Sequence, residues 1–153
     1  MGWACRRAAA LDDAELAASA LELAWAVFSI RGPFSVGVEL VTVVRDIPGL
    51  GTAAIAKVGL VAGRALEACG KFPEASVQFK ASLEGACAVG HRRCECRALN
   101  GLGKLDILGG HLESARTDLE AALAIAYELK NARLQSDVHK GLGTLEWWLE
   151  RKG

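Results

Sequence analysis

The sequence carries no net charge that would direct it toward a charged partner. Eighteen Lys and Arg residues balance eighteen Asp and Glu residues over 153 positions. Nucleic acids and anionic membranes attract proteins through an excess of basic residues, so we expect neither to be a partner. Only three prolines occur and 52% of the residues are hydrophobic, which excludes a disordered linker or a collagen-like chain. The length corresponds to a single folded domain.

The sequence also lacks a long uncharged apolar run. A membrane-spanning helix needs about 18 or more consecutive apolar residues. The most apolar stretch, residues 34–63, is interrupted by charged residues at Glu39, Arg45, Asp46 and Lys57. We therefore predict that no segment crosses a membrane.

The cysteines number five and show no spacing that is typical of a disulfide framework. Unpaired thiols are usual in a reducing compartment. Asp12 and Asp13 stand near the N-terminus before any apolar run of the length found in signal peptides, so secretion is not expected. We predict a cytoplasmic protein.

A repeat of forty residues runs along the chain. Shifting the sequence by forty aligns Gly63 with Gly103, and shifting it again aligns Gly103 with Gly143. The same shifts align Gly70 with Gly110, Ala75 with Ala115, Leu83 with Leu123, Ala86 with Ala126, and Leu102 with Leu142. A fixed period of this length is typical of arrays built from one supersecondary unit.

The spacing of apolar residues and glycines within each repeat predicts two helices joined by a tight turn. Leucines recur at helical spacing over residues 98–108, Gly109-Gly110 provides a helix end, and a second apolar stripe follows over residues 113–129. At the break after this helix, Asn131 is the candidate for a left-handed residue. We predict a degenerate hairpin over 12–45, hairpins over 52–89 and 96–129, and a terminal helix over 136–151.

The valine-rich segment at residues 34–45 is compatible with either a strand or a helix. Its β-branched residues favour a strand. No second strand candidate exists with which it could pair, and a single strand has no stability of its own. We therefore predict a helix, and an all-α fold for the chain.

The spacing of small and large residues in these hairpins resembles the tetratricopeptide repeat family, in its variety with units of about forty residues. The third hairpin carries Leu99-x2-Leu102-Gly103, followed by Ala115, Leu119 and Ala122. The hairpin before it carries Gly59-x2-Ala62-Gly63, followed by Ala75, Phe79 and Ser82. The terminal helix carries His139-x2-Leu142-Gly143. The resemblance implies an α-α superhelix, or solenoid, whose concave face is lined by the first helix of each hairpin and binds a partner's peptide or helix.

Basic residues are concentrated on the helical stripe that this resemblance assigns to the concave face. The stripe predicted to bind a partner consists of Lys57, Arg64, Arg97, Asn100, Lys104 and Lys140. In a neutral protein this local positive charge suits an acidic segment or a terminal carboxylate. The resemblance also implies that Asn100 hydrogen-bonds the ligand backbone through its amide. The alternative is that these charges only keep an exposed helix face solvated.

The terminal helix offers a second candidate surface. Trp147 and Trp148 lie on a helix that has no second helix of its own hairpin within the sequence. Contiguous exposed apolar residues usually mark an association site. This surface supports an alternative hypothesis, in which the chain is a self-associating structural or regulatory subunit.

Two patterns favour enzyme or metal chemistry, and neither is convincing in its context. Gly49-Leu50-Gly51 begins a G-x-G-x-x-A pattern, but no βαβ unit surrounds it. Cys87, His91 and Cys94 fall within eight residues, and the first two have an i, i+4 spacing that suits zinc. We predict a non-catalytic protein-interaction module without a cofactor, a metal site or catalytic residues.

Overall fold

The computed structural model describes residues 2–4, 6 and 13–152, and over these residues the chain is all-α. Residues 2–4 and 6 are helical. Seven longer helices follow: α1 (Ala14–Arg31), α2 (Phe34–Arg45), α3 (Thr52–Ala68), α4 (Phe72–Val89), α5 (Arg92–Gly109), α6 (Leu112–Glu128) and α7 (Ala132–Lys152). The prediction of an all-α fold is confirmed. Cys5 and Asp12, the first residue of the predicted first hairpin, lie outside the described residues.

The valine-rich segment forms helix α2, as its context predicted. Gly37, Leu40, Val41 and Val44 are buried along one side of this helix, at spacings of three and four residues. Burial of this apolar stripe outweighs the weak preference of valine for strands, because most helical stability in proteins comes from packing. None of the described helices has both the length and the hydropathy needed to cross a membrane.

Two helices begin four residues earlier than predicted, because side chains of the preceding turns cap them. At the start of α5, His91 Nδ1 accepts a hydrogen bond from the Cys94 backbone N–H at 3.3 Å. At the start of α7, Asn131 Oδ1 accepts a hydrogen bond from the Leu134 backbone N–H at 3.1 Å. The left-handed residue before α7 is Lys130, with φ of 49°, so the prediction that Asn131 takes this conformation is wrong.

Closely packed helices are near neighbours along the chain, and the ion pair between Arg97 of α5 and Glu22 of α1 is a longer-range side-chain contact. Each helix packs against the next, and the odd-numbered helices also form a series in which α1 contacts α3, α3 contacts α5, and α5 contacts α7. Within the described residues, the even-numbered helices α2, α4 and α6 do not pack closely on one another, although Arg45 of α2 donates a hydrogen bond to Gln78 Oε1 of α4. The odd-numbered helices therefore form one layer and the even-numbered helices lie beside it.

The hairpins are held together by large side chains that pack against helical glycines. We call the space next to the Cα of such a glycine a glycine notch. Phe79 of α4 fills two notches, since a Cβ atom placed on Gly63 or on Gly101 would lie 2.7 Å from its ring. Forty residues later, Leu119 of α6 fills the notches of Gly103 and Gly141, where a Cβ atom would lie 2.6 and 2.8 Å from its side chain.

Each of these side chains therefore joins the two helices of one hairpin to the first helix of the next. Phe79 and Leu119 are both fully buried. Only glycine admits so close an approach, because a Cβ atom at any of the four positions would overlap the ring or the leucine side chain. The forty-residue spacing of the glycines is thus a packing requirement.

We expect Gly103→Ala to lower the free energy of unfolding by up to about 2 kcal/mol. Overpacking a buried site typically costs ~1–3 kcal/mol, and the higher helix propensity of alanine returns ~1 kcal/mol of this. Urea unfolding of dilute protein measures the change.

Gly143→Ala is the matched control, because a Cβ atom at Gly143 meets nothing within 4 Å. We expect this variant to be as stable as the parent or up to ~1 kcal/mol more stable. Equal destabilisation of the two variants would show that the notch at Gly103 does not constrain packing.

Candidate functional site

A cavity of about 90 Å³ lies between α3, α5 and α7 and brings together most of the predicted stripe. Four of the six residues line it, namely Arg64, Arg97, Asn100 and Lys104. Arg97, Asn100 and Lys104 share one side of α5 because they follow helical spacing. Arg64 joins them from α3, because it stands forty residues before Lys104 and the two helices pack side by side.

Three further charged residues line the same cavity, which we call the basic cavity. They are Glu67 of α3 and Arg133 and Asp137 of α7. Four basic side chains therefore face two acidic ones, and the lining has an excess of two positive charges. This local excess contrasts with the zero net charge of the chain.

The arginines of the basic cavity are partly removed from water. Burial, followed by the neighbouring Arg97, holds the pKa of Arg64 below its ordinary value. Burial, followed by Arg93, does the same to the pKa of Arg97. A guanidinium stays protonated in proteins, so both groups keep their charge at neutral pH. Charges in such surroundings are screened less by salt than exposed ones.

The cations are only partly neutralised by ion pairs within the protein. Arg97 Nη1 lies 3.9 Å from Glu22 Oε1 of α1. Within the described residues, neither Arg64 nor Arg133 has a carboxylate oxygen within 4.0 Å. Their hydrogen-bond donors are available to an anion that enters the cavity.

Asn100 contributes a buried polar atom that lacks a partner. The residue is 8% exposed, and its Oδ1 makes no hydrogen bond with any part of the chain that the structure describes. A buried acceptor without a partner costs free energy, which a donor from a ligand would recover. The amide of Asn100 can both accept and donate, as a peptide backbone requires of its partner.

The basic cavity sits directly on the packing between hairpins. Phe79 and Gly101, which form one of the filled notches, also line its wall. The polar side chains that line the cavity therefore extend from closely packed helices. A site built on helices in this way is positioned more precisely than one built on loops.

The other two residues of the predicted stripe lie elsewhere. Lys140 lines an adjacent cavity of about 200 Å³ together with Ile107, Leu108, Gly141 and Thr144, and Lys104 is shared by both cavities. Lys57 Nζ lies 3.9 Å from Glu15 Oε2 of α1 and does not line either cavity. The structure thus divides the stripe into a central group of four and two outlying lysines.

The residues predicted to bind a partner did not include the two acidic residues of the site or Arg133. Glu67 lies three residues after Arg64 on the same helix face, and Arg133 lies four residues before Asp137. Asp137 occupies the position of Arg97 in the next repeat. Extending the stripe by one helical turn on each helix would have included Glu67 and Arg133.

Trp147 and Trp148 lie apart from both cavities, on the outer part of α7. The two residues are 48% and 37% exposed. The two rings meet edge to face with centroids 5.3 Å apart, and the Arg151 guanidinium lies 4.6 Å from the centre of the Trp147 ring. The apolar surface predicted from the sequence is therefore open to solvent in the single chain.

The cysteines and histidines do not converge on a metal site in the described part of the chain. No three His, Cys, Asp or Glu side chains there are placed to hold a metal ion together. Cys94 is buried, and burial raises the pKa of its thiol to about 11. Burial and Glu95 also raise the pKa of Cys87. Thiols with raised pKa values carry little thiolate at neutral pH and react slowly.

No protein-family model and no curated protein matches the chain. The likeness to tetratricopeptide repeats therefore rests on the spacing of glycine, alanine and large apolar residues in the sequence itself.

The acidic residue Glu67 provides a test of the electrostatics of the cavity. Burial raises its pKa above the ordinary value of 4.5, and this outweighs the opposite effect of Lys104 and Arg64. A raised pKa in the folded state means that stability is greatest below the unfolded-state pKa and falls as pH rises through the folded-state pKa. We expect Glu67→Gln to be more stable than the parent at pH 7, with a difference that disappears near pH 4.

Chemical unfolding at a series of pH values measures this difference. Glu84→Gln on the exposed side of α4 removes the same charge without touching the cavity. A Glu67→Gln variant that is less stable than the parent at pH 7 would mean that Arg64 and Lys104 stabilise the carboxylate by more than burial costs.

Proposed function

We propose that the chain is a solenoid of helical hairpins of the tetratricopeptide repeat type, and that it acts as a non-catalytic protein-interaction module. Its basic cavity binds an acidic segment of a partner protein. The single observation that carries this proposal is the convergence on one cavity, between three consecutive odd-numbered helices, of four cations and of Asn100, whose buried amide oxygen has no partner among the described residues.

The pattern of helix contacts supports the solenoid. Helices pack closely only on those one or two positions away in the chain, and the layer of odd-numbered helices continues from α1 to α7. Stacked repeats in which each unit touches only its neighbours have this pattern. The repeated filling of glycine notches by Phe79 and Leu119 gives successive units the same contact.

The size of the basic cavity favours a side chain of a partner protein as its occupant over a small-molecule cofactor. Cofactor and drug-sized ligands occupy sites of ~300–1,000 Å³, whereas this cavity measures about 90 Å³. A single carboxylate-bearing side chain fits a space of this size, while the rest of the peptide would lie across the layer of odd-numbered helices.

The lining also favours a carboxylate chemically. Arg64 and Arg97 present planar guanidinium groups, which bind carboxylates through two parallel hydrogen bonds. Because both arginines are already partly desolvated, less of the desolvation cost remains when an anion binds them. Asn100, which lies between Arg97 and Lys104 along α5, is suited to the peptide group next to the acidic side chain.

Selection from a library of random peptides tests the proposal, because it requires no particular partner to be chosen. We expect peptides selected on the parent chain to be enriched in Asp and Glu. We expect them to bind the double variant Arg97→Gln, Lys104→Gln at least about tenfold more weakly, because charge-assisted hydrogen bonds contribute ~1.5–3 kcal/mol each. Binding to the variant should also depend less on salt concentration.

Neutral glutamine is used because Glu22 lies beside Arg97, and a reversed charge there would repel it. The matched control is Lys80→Gln, Arg116→Gln, which removes two exposed positive charges from the even-numbered helices α4 and α6. Selected peptides without acidic residues, or peptides that bind both double variants equally, would contradict the proposed site.

A further inference from the structure

One glycine notch of the repeat is not filled by any part of the chain that the structure describes. Gly63, Gly103 and Gly143 are equivalent positions at intervals of forty residues. Phe79 fills the first notch and Leu119 fills the second, each from the second helix of the same hairpin. At Gly143 of α7 an added Cβ atom would meet nothing within 4 Å.

The two filled notches show what kind of group fits the third. In both, the occupant is a large apolar side chain on a helix that is joined to its neighbour by a short turn and so runs antiparallel to it. The face of α5 that α6 covers includes Cys96, Leu99 and Gly103, all buried. Their counterparts on α7, Ser136, His139 and Gly143, are exposed.

The same face of α7 also displays a side chain of the required kind. Trp147 follows Gly143 by four residues, which places the two on one side of the helix. It is 48% exposed and is held in position by Trp148 and Arg151. An unfilled notch and an exposed large aromatic side chain therefore lie one turn apart on one helix.

We infer that α7 forms a homodimer with α7 of a second copy of the chain, packed antiparallel about a two-fold axis level with Leu145. In this arrangement, residues equally far before and after position 145 face each other. Trp147 of each copy enters the Gly143 notch of the other. A two-fold interface requires a surface that is complementary to itself. The Gly143 notch and the Trp147 side chain on one helix provide such a surface.

The positions of the charged residues on this face are consistent with the same two-fold axis. Lys140 and Glu150 also lie equally far before and after position 145, so Lys140 of one copy faces Glu150 of the other. Two opposite-charge pairs therefore flank the two Trp147 contacts. This agreement of charge pattern and notch spacing favours a second copy over an unrelated helix as the occupant.

The dimer is independent of the proposed peptide site. Gly143 and Trp147 line neither the basic cavity nor the adjacent one. Loss of the dimer should leave peptide binding in place, and failure of the peptide selection would not affect the dimer.

Multi-angle light scattering over a range of protein concentrations tests the inference. We expect the mass of the parent chain to rise from 16.1 kDa toward twice that value. Gly143→Leu fills the notch, and Trp147→Ala removes the side chain that would enter it. We expect each to raise the dimer dissociation constant about thirtyfold or more, as for the central residue of an interface.

Gly143→Leu is expected to fold, because it replaces a helical glycine with a better helix former where space is open. Ala88→Leu on α4 is the matched control, since it also adds an exposed leucine to a helix but lies away from α7. We expect it to dimerise like the parent chain. Circular dichroism and thermal unfolding confirm that each variant is folded.

A charge exchange tests the orientation of the two helices. We expect Glu150→Lys alone to weaken the dimer about fivefold. Lys140→Glu should weaken it at least as much, because it also places a carboxylate beside Asp137, whose Oδ1 lies 3.4 Å from Lys140 Nζ in the same chain. The double variant should dimerise more tightly than Lys140→Glu alone, because each exchanged residue again faces an opposite charge while the effect of Asp137 is the same in both. A parent chain that remains monomeric, a dimer that Gly143→Leu leaves intact, or a double variant without recovery would each overturn the antiparallel α7 dimer.

Discussion

The architecture depends on the close approach of a large apolar side chain to a helical glycine. Phe79 and Leu119 each occupy two such notches, one on the preceding helix and one on the following helix. A single buried side chain thereby fixes the distance between the two helices of a hairpin and the distance to the next hairpin. The glycines have a cost in helix propensity, which is recovered as packing that no other residue would permit.

This constraint also creates the candidate binding site. Because the notches bring α3, α5 and α7 into register, residues forty positions apart come to lie side by side on one surface. Arg64 and Lys104 are such a pair, and Arg97 and Asp137 are another. The basic cavity is thus a consequence of repeat packing combined with an uneven distribution of charge between repeats, and its wall includes Phe79 itself.

Much of this arrangement could be predicted from the sequence, because the glycine period carries it. The helices, and the gathering of Arg64, Arg97, Asn100 and Lys104, follow from helical spacing and a shift of forty residues. The starts of α5 and α7 did not follow, because they depend on caps by His91 and Asn131 that only local geometry reveals. The ion pair of Lys57 with Glu15 could not be predicted either, because Glu15 belongs to α1, where the repeat is degenerate.

The helix at the middle of the basic cavity has a second structural role. One side of α5 contributes Cys94, Ala98 and Leu102 to the core around Phe79, while another contributes Leu99 and Ile107 to the core around Leu119. Leu83 of α4 also packs against both cores, so the two cores are connected through shared helices. Cooperative unfolding of a stacked array depends on such shared elements. Unfolding of α5 would therefore disrupt both cores at once.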